Sequence, residues 1–249
     1  MYSKWRGFCG ILSLSASLAM LGCGSTSTTN VRAVNASQGL TGNFSIQIGQ
    51  TGIASSLPFG TEGVQPKGQY ATNDSSGNYR KVAAGTNQSL VAFTTPGNKL
   101  VSTTQTFAAN AYYTVVTLSP APAIQFQTLT DDDTAPQSGD YKLRVMDTST
   151  SAGAVDVYIT ALGAGISGSP VVGNMQFQRV TSPYLQEAPG TLEVQVTPHG
   201  NTSVVLASKA FTPAAGKIYS VFFLDPPTSG ATNYGVLIVN DPIGTGTTM

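Results

Sequence analysis

Residues able to do chemistry are scarce in this sequence. Lysine and arginine total 12, aspartate and glutamate 12, so 10% of 249 residues are charged, against about 25% in average soluble proteins. His199 is the single histidine and sits in Pro198-His199-Gly200-Asn201, a hairpin-turn composition. A Ser-His-Asp site needs a buried histidine beside a nucleophile. No G-x-S-x-G elbow accompanies His199, so it reads as an exposed turn residue. Asp131-Asp132-Asp133 offers oxygens to calcium. Neighbouring residues of extended chain point in opposite directions, however, and calcium-loop spacing is missing; the run reads as a solvated linker turn. Asp147 and Asp156, with Glu187 or Glu193, are the acids that could pair as a hydrolase couple, and all read as strand residues on solvent faces. Tyr158, Tyr184 and Tyr234, with Tyr70 and Tyr79 earlier in the chain, could form an aromatic surface for a glycan or protein ligand. The candidate binding residues are therefore Asp156, Tyr158, Tyr184 and Tyr234. No catalytic set, metal site or cofactor is expected, and balanced charge leaves no basic footprint for nucleic acid.

The two cysteines, Cys9 and Cys23, lie near the start. Lys4 and Arg6 precede an apolar run from Phe8 to Leu21, too short to span a bilayer, which needs about 20 residues. This is a secretory signal pattern. Met20-Leu21-Gly22-Cys23 resembles the bacterial lipoprotein cleavage box, with Met20 and Leu21 replacing the usual leucine and small residue. That resemblance implies cleavage before Cys23 and acylation of its thiol and amine, giving a membrane partner through an N-terminal lipid anchor. Gly24, where an aspartate would mark inner-membrane retention, implies an outer-membrane lipoprotein of the cell envelope.

The elements that must position these residues come from a repeat. Val31–Ser37 (VRAVNAS) matches Leu143–Ser149 (LRVMDTS), and Leu90–Asn98 matches Glu193–Asn201. Phe107–Leu118 matches Phe211–Leu224, giving a unit of about 105–110 residues, present twice. Apolar residues alternate with polar ones in Phe44–Ile48, Val155–Ile159 and Leu192–Val196, the period of a half-buried strand. Tyr112–Leu118 and Ile218–Leu224 are apolar on both faces and suit central strands. The expected fold is all-β: two tandem antiparallel β-sandwich domains. The expected order is a signal peptide (1–22), a flexible tether (23–30), domain 1 (31–137), domain 2 (138–242) and a frayed tail (243–249).

VRAVNAS, LPFG (57–60), VAAGT (82–86) and YYTVVTL (112–118) in the first half resemble the motifs of the domain of unknown function 4397 (DUF 4397) family. So do LRVMDTS, AVDVYI (154–159) and GKIYSVFFL (216–224) in the second half. The resemblance implies immunoglobulin-like or transthyretin-like sandwiches on exported or anchored proteins, with no established activity. Asn35 and Asp147 stand where that family has a histidine. The Asp156-Val157-Tyr158 of the second half is Ser45-Ile46-Gln47 in the first. The expected function is a non-catalytic, lipid-anchored envelope protein with a structural, adhesive or ligand-binding role. The alternative is a carbohydrate-binding accessory module or hydrolase acting on envelope polysaccharide.

Overall fold

Alternating apolar residues require a sheet with one face against a partner, and the described residues form four such sheets. The structure, a computed structural model, describes residues 27–38, 44–62, 79–94, 97–118 and 124–243. Among these no helix occurs. Residues 1–22, where the sequence leads one to expect a signal peptide, lie outside the described residues, as do Cys23, Tyr70 and the tail beyond 243. The first unit contains β1 (Thr28–Ala36), β2 (Phe44–Ile48), β3 (Thr51–Leu57), β4 (Thr61–Glu62), β5 (Arg80–Ala83), β6 (Gly85–Thr94), β7 (Lys99–Phe107), β8 (Tyr112–Leu118) and β9 (Gln125–Thr130). The second contains β10 (Tyr141–Asp147), β11 (Val155–Ala161), β12 (Val172–Met175), β13 (Leu185–Glu187), β14 (Leu192–Pro198), β15 (Ala207–Phe211), β16 (Ile218–Leu224) and β17 (Gly235–Asp241).

The first unit pairs its strands in the orders β4-β1-β8-β9, with β5 also on β1, and β3-β2-β6-β7. The second repeats the scheme as β13-β10-β16-β17 and β12-β11-β14-β15. Between the first two sheets lie Val31, Ala33 and Val115 from one side and Ile46, Leu90 and Ala92 from the other. Leu143, Val145 and Val221 meet Val155, Val157 and Val194 between the second two. Each unit is thus a sandwich with a dry interior.

Two details depart from expectation. The sheets are antiparallel except that β1 runs parallel to β8, and β10 parallel to β16. Alternation reports which face is buried and says nothing of strand direction; burial on both faces is what parallel pairs require. The expected tether also ends early. Thr28, Thr29 and Asn30 already pair with β5, and the buried Thr29 hydroxyl donates to the Ala111 carbonyl at 2.9 Å. Threonine is β-branched and suits a strand as well as a linker.

The outer faces of the parallel pairs pack on each other. Val34, Ala36, Val116 and Leu118 of the first unit join Met146, Phe222 and Leu224 of the second in one buried cluster. Full burial of such side chains stabilises by roughly 1.5–3 kcal/mol each. The second apolar face of β1, β8, β10 and β16 is the seam between the units.

Candidate functional site

A charged residue in the middle of a doubly buried strand needs a partner, because an unpaired buried charge is costly. Arg32 on β1 and Arg144 on β10 occupy the same position of the repeat, and both are buried. The Arg32 Nε donates to the Thr114 hydroxyl at 2.8 Å, its Nη1 to the Asn240 carbonyl at 2.5 Å, and its Nη2 to Asp241. Arg144 repeats this set. Its Nε donates to the Ser220 hydroxyl at 2.7 Å, its Nη1 to the Thr130 carbonyl at 3.1 Å, and its Nη2 to Asp131. Each arginine therefore reaches the end of the other unit's last strand.

Each aspartate is completed by its own unit. The Thr114 hydroxyl donates to Asp131 at 2.9 Å, and the Tyr79 hydroxyl to its Oδ2 at 2.6 Å. The Ser220 hydroxyl donates to Asp241 at 2.7 Å, and the Tyr184 hydroxyl to its Oδ2 at 2.8 Å. The guanidinium of Arg32 lies 4.9 Å from the Tyr79 ring centre and that of Arg144 lies 5.2 Å from Tyr184, within cation–π range. Such reciprocal pairing repeats the logic of a symmetric dimer interface.

The electrostatics push every shifted group of this network away from neutral-pH titration. Burial opposes the charge of Arg32, but Tyr79, Asp241, Asp131 and Glu62 outweigh it and hold its pKa well above the ordinary value. Burial would raise Asp241, but Arg32, Arg144 and the Ser220 hydroxyl hold it below the usual carboxylate range. Burial and the nearby carboxylates push the phenols of Tyr79 and Tyr184 upward. Acid–base catalysis needs a group poised near the working pH; this arrangement does the reverse and acts as a lock.

Several readings of single residues are corrected here. Asp131 is not in a solvated turn: it is buried and paired with Arg144. Asp132 binds the Lys142 ammonium at 2.8 Å. Asp147 and Asp156 are not on solvent faces; both are buried, because loops and the second unit's own turns cover strand ends that periodicity leaves open.

Asp156 accepts from the backbone amides of Asn174 and Gly200, each at 2.8 Å, and lies 2.8 Å from the His199 Nδ1. Burial opposes its charge, yet the Gly200 and Asn174 amides and His199 hold its pKa below the usual range. His199 itself is half-exposed in the predicted turn. Tyr158 is buried on β11. Tyr234 stacks on Phe223 with ring centres 5.4 Å apart, its hydroxyl 3.1 Å from that of Ser151. Tyr184 belongs to the junction. The four candidate binding residues thus occupy separate settings and form no common aromatic face.

Asp147 differs from its counterpart. Asn35 donates its amide to the Leu57 carbonyl at 3.0 Å and accepts from the Ser37 amide at 2.9 Å. Asp147 Oδ1 accepts the matching Ser149 amide at 2.8 Å, but its Oδ2 is buried with no hydrogen-bond partner among the described residues. Burial pushes its pKa up to about 7, against the Ser149 amide and with help from Asp225. Asp225 remains below the usual range despite burial, because Ser149, Ser151 and Thr150 donate to it. Among the described residues no group of three or more histidine, cysteine or acidic side chains is placed to hold a metal ion.

The junction residues Arg32, Arg144, Thr114, Ser220 and Asp241 were not singled out from sequence as site candidates. A usable signal was present: an arginine in the middle of the apolar strand in both copies of one motif, and an acid at the end of the last strand in both.

Fold and junction together define a class: an all-β protein of paired sandwiches joined by exchanged ion pairs. The chain belongs to the DUF4397 family, described as a domain of unknown function, whose profile matches residues 29–158. That match covers the first unit and the second as far as Tyr158 on β11. Comparison with curated proteins returned no match.

Proposed function

We propose that the chain is a non-catalytic, lipid-anchored envelope protein in which two copies of the family domain form one rigid element with a structural, adhesive or ligand-binding role. The observation that carries this reading is the junction. A pair of units locked by buried ions and a shared apolar seam keeps a fixed relative orientation, as a spacer or presenting element requires. Tandem duplication is supported by the repeated sheet orders and by Arg32, Thr114 and Asp131 recurring as Arg144, Ser220 and Asp241. Export and anchoring are supported by the Lys4/Arg6 start, the apolar run to Leu21 and the box ending at Cys23. Three acyl chains, two on the Cys23 thiol and one on its amine, exceed the two that stable membrane anchoring needs.

Replacing Cys23→Ser tests the anchor: the variant is expected to leave the membrane fraction or accumulate unprocessed. Unchanged membrane association and gel mobility would overturn the lipoprotein reading. Deleting the whole chain should weaken envelope integrity or surface attachment; a deletion strain indistinguishable from its parent in both assays would overturn the structural and adhesive roles.

A further inference from the structure

Between β12 and β13 the chain crosses from one sheet of the second sandwich to the other, and a cavity of about 340 Å³ opens along that crossing. One wall is apolar, from Val172, Met175, Val180 and Leu185; Arg179 and the polar Asn174, Thr181 and Ser182 line the rest, with Tyr184 between. Met175 belongs to the dry interior of this sandwich, and Val172 and Leu185 pack against it. The cavity therefore leads inward to apolar surface. Its volume is at the lower end of small-molecule sites, which run from about 300 to 1,000 Å³.

The two units differ at this place in a way that changes its charge. β1 pairs Val34 with Glu62 and Asn35 with Thr61. In the second unit Met146 bridges to Val180, and the Asp147 amide donates to the Arg179 carbonyl at 3.1 Å. Val34 and Met146 are matched in the repeat, so Val180 replaces Glu62 and Arg179 replaces Thr61. An acid has become an apolar wall and a hydroxyl has become a cation. Glu62 is held by Arg32, whereas Arg179 is exposed and makes no ion pair among the described residues. Tyr184 offers only its ring, since its hydroxyl is bound to Asp241.

We propose that this cavity binds a small amphipathic carboxylate, its apolar body against Val172, Met175, Val180 and Leu185 and its carboxylate on Arg179. A cation beside a cleft with one apolar wall and a polar rim suits this ligand class, because the charge fixes one end and burial of the body against the apolar wall supplies affinity.

Octanoate and 1-octanol share a body and differ in charge, so titrating each into the purified full chain separates the two contributions. Methionine methyl resonances report occupancy through Met175. Octanoate is expected to shift that resonance saturably and to bind more tightly than octanol. Arg179→Gln, at an exposed position, should weaken octanoate by about tenfold, the equivalent of roughly 1.4 kcal/mol, and leave octanol unchanged. Val180→Glu, which restores the first unit's residue, should abolish octanoate binding. No saturable shift, equal affinity for the two probes, or an Arg179→Gln chain that binds octanoate as before would overturn the proposal.

Discussion

Asp147→Asn should make the protein more stable at alkaline pH and indifferent to pH where the parent is sensitive. The parent carboxyl has a folded pKa of about 7 against about 3.9 unfolded. A group raised on folding favours the folded state fully below its unfolded pKa, and that contribution is lost as pH rises through the folded value. Ionising Asp147 inside the fold therefore costs about three pKa units, roughly 4 kcal/mol at 1.36 kcal/mol per unit. The loss should begin near pH 4 and level off above about pH 8. An asparagine reproduces the neutral donor–acceptor pattern that Asn35 shows in the first unit, so the variant should match the parent near pH 4 and exceed it by about 4 kcal/mol at pH 9. Urea unfolding of both proteins across this range measures the difference directly. A parent stability that is flat from pH 4 to 9, or a variant that keeps the parent's slope, would show that Asp147 is ionised in the fold and that its orphan oxygen has a partner.

Two further expectations concern the junction. Arg144→Met leaves Asp131 buried beside a thioether and should cost about 3–5 kcal/mol in urea unfolding, as removing one partner of a buried pair does; adding Asp131→Asn should recover part of that loss. The intact chain should also unfold in a single transition, with residues 131–140 resisting protease, since Asp131 and Lys142 anchor both ends of that segment. Early cleavage there, yielding two folded halves, would contradict a locked junction.

Much of this architecture is legible in the residues. Alternation in Val155–Ile159 and Leu192–Val196 marks β11 and β14, and the VRAVNAS/LRVMDTS match marks two units. The doubly apolar character of Tyr112–Leu118 predicts a central strand; that its outer face meets Phe222 and Met146 is a tertiary fact with no local trace. The exchanged pairs are hidden for the same reason. Arg32 and Asp241 stand at opposite ends of the sequence, and nothing in the composition around Asp131 separates a linker turn from a buried counter-ion. Asp147 is the subtlest case: an acid in an alternating strand reads as a solvent-facing residue, and only burial of Oδ2 reveals a carboxyl whose pKa is raised. Tyr184 was a candidate as a binding tyrosine, but its hydroxyl serves Asp241 while its ring forms a cavity wall.

The crossed arginine–aspartate pairs have a consequence for inheritance. Each unit keeps its stabilising hydroxyls at home but takes its shortest ion pair from its neighbour, retaining within itself only the longer Arg32–Glu62 or Arg144–Asp241 contact. A recombination event that deleted either half would take from the survivor's arginine and aspartate their closest partners and leave both on a newly bared apolar face. The pair is thus the smallest heritable parcel, and lengthening the protein by this design favours adding units two at a time.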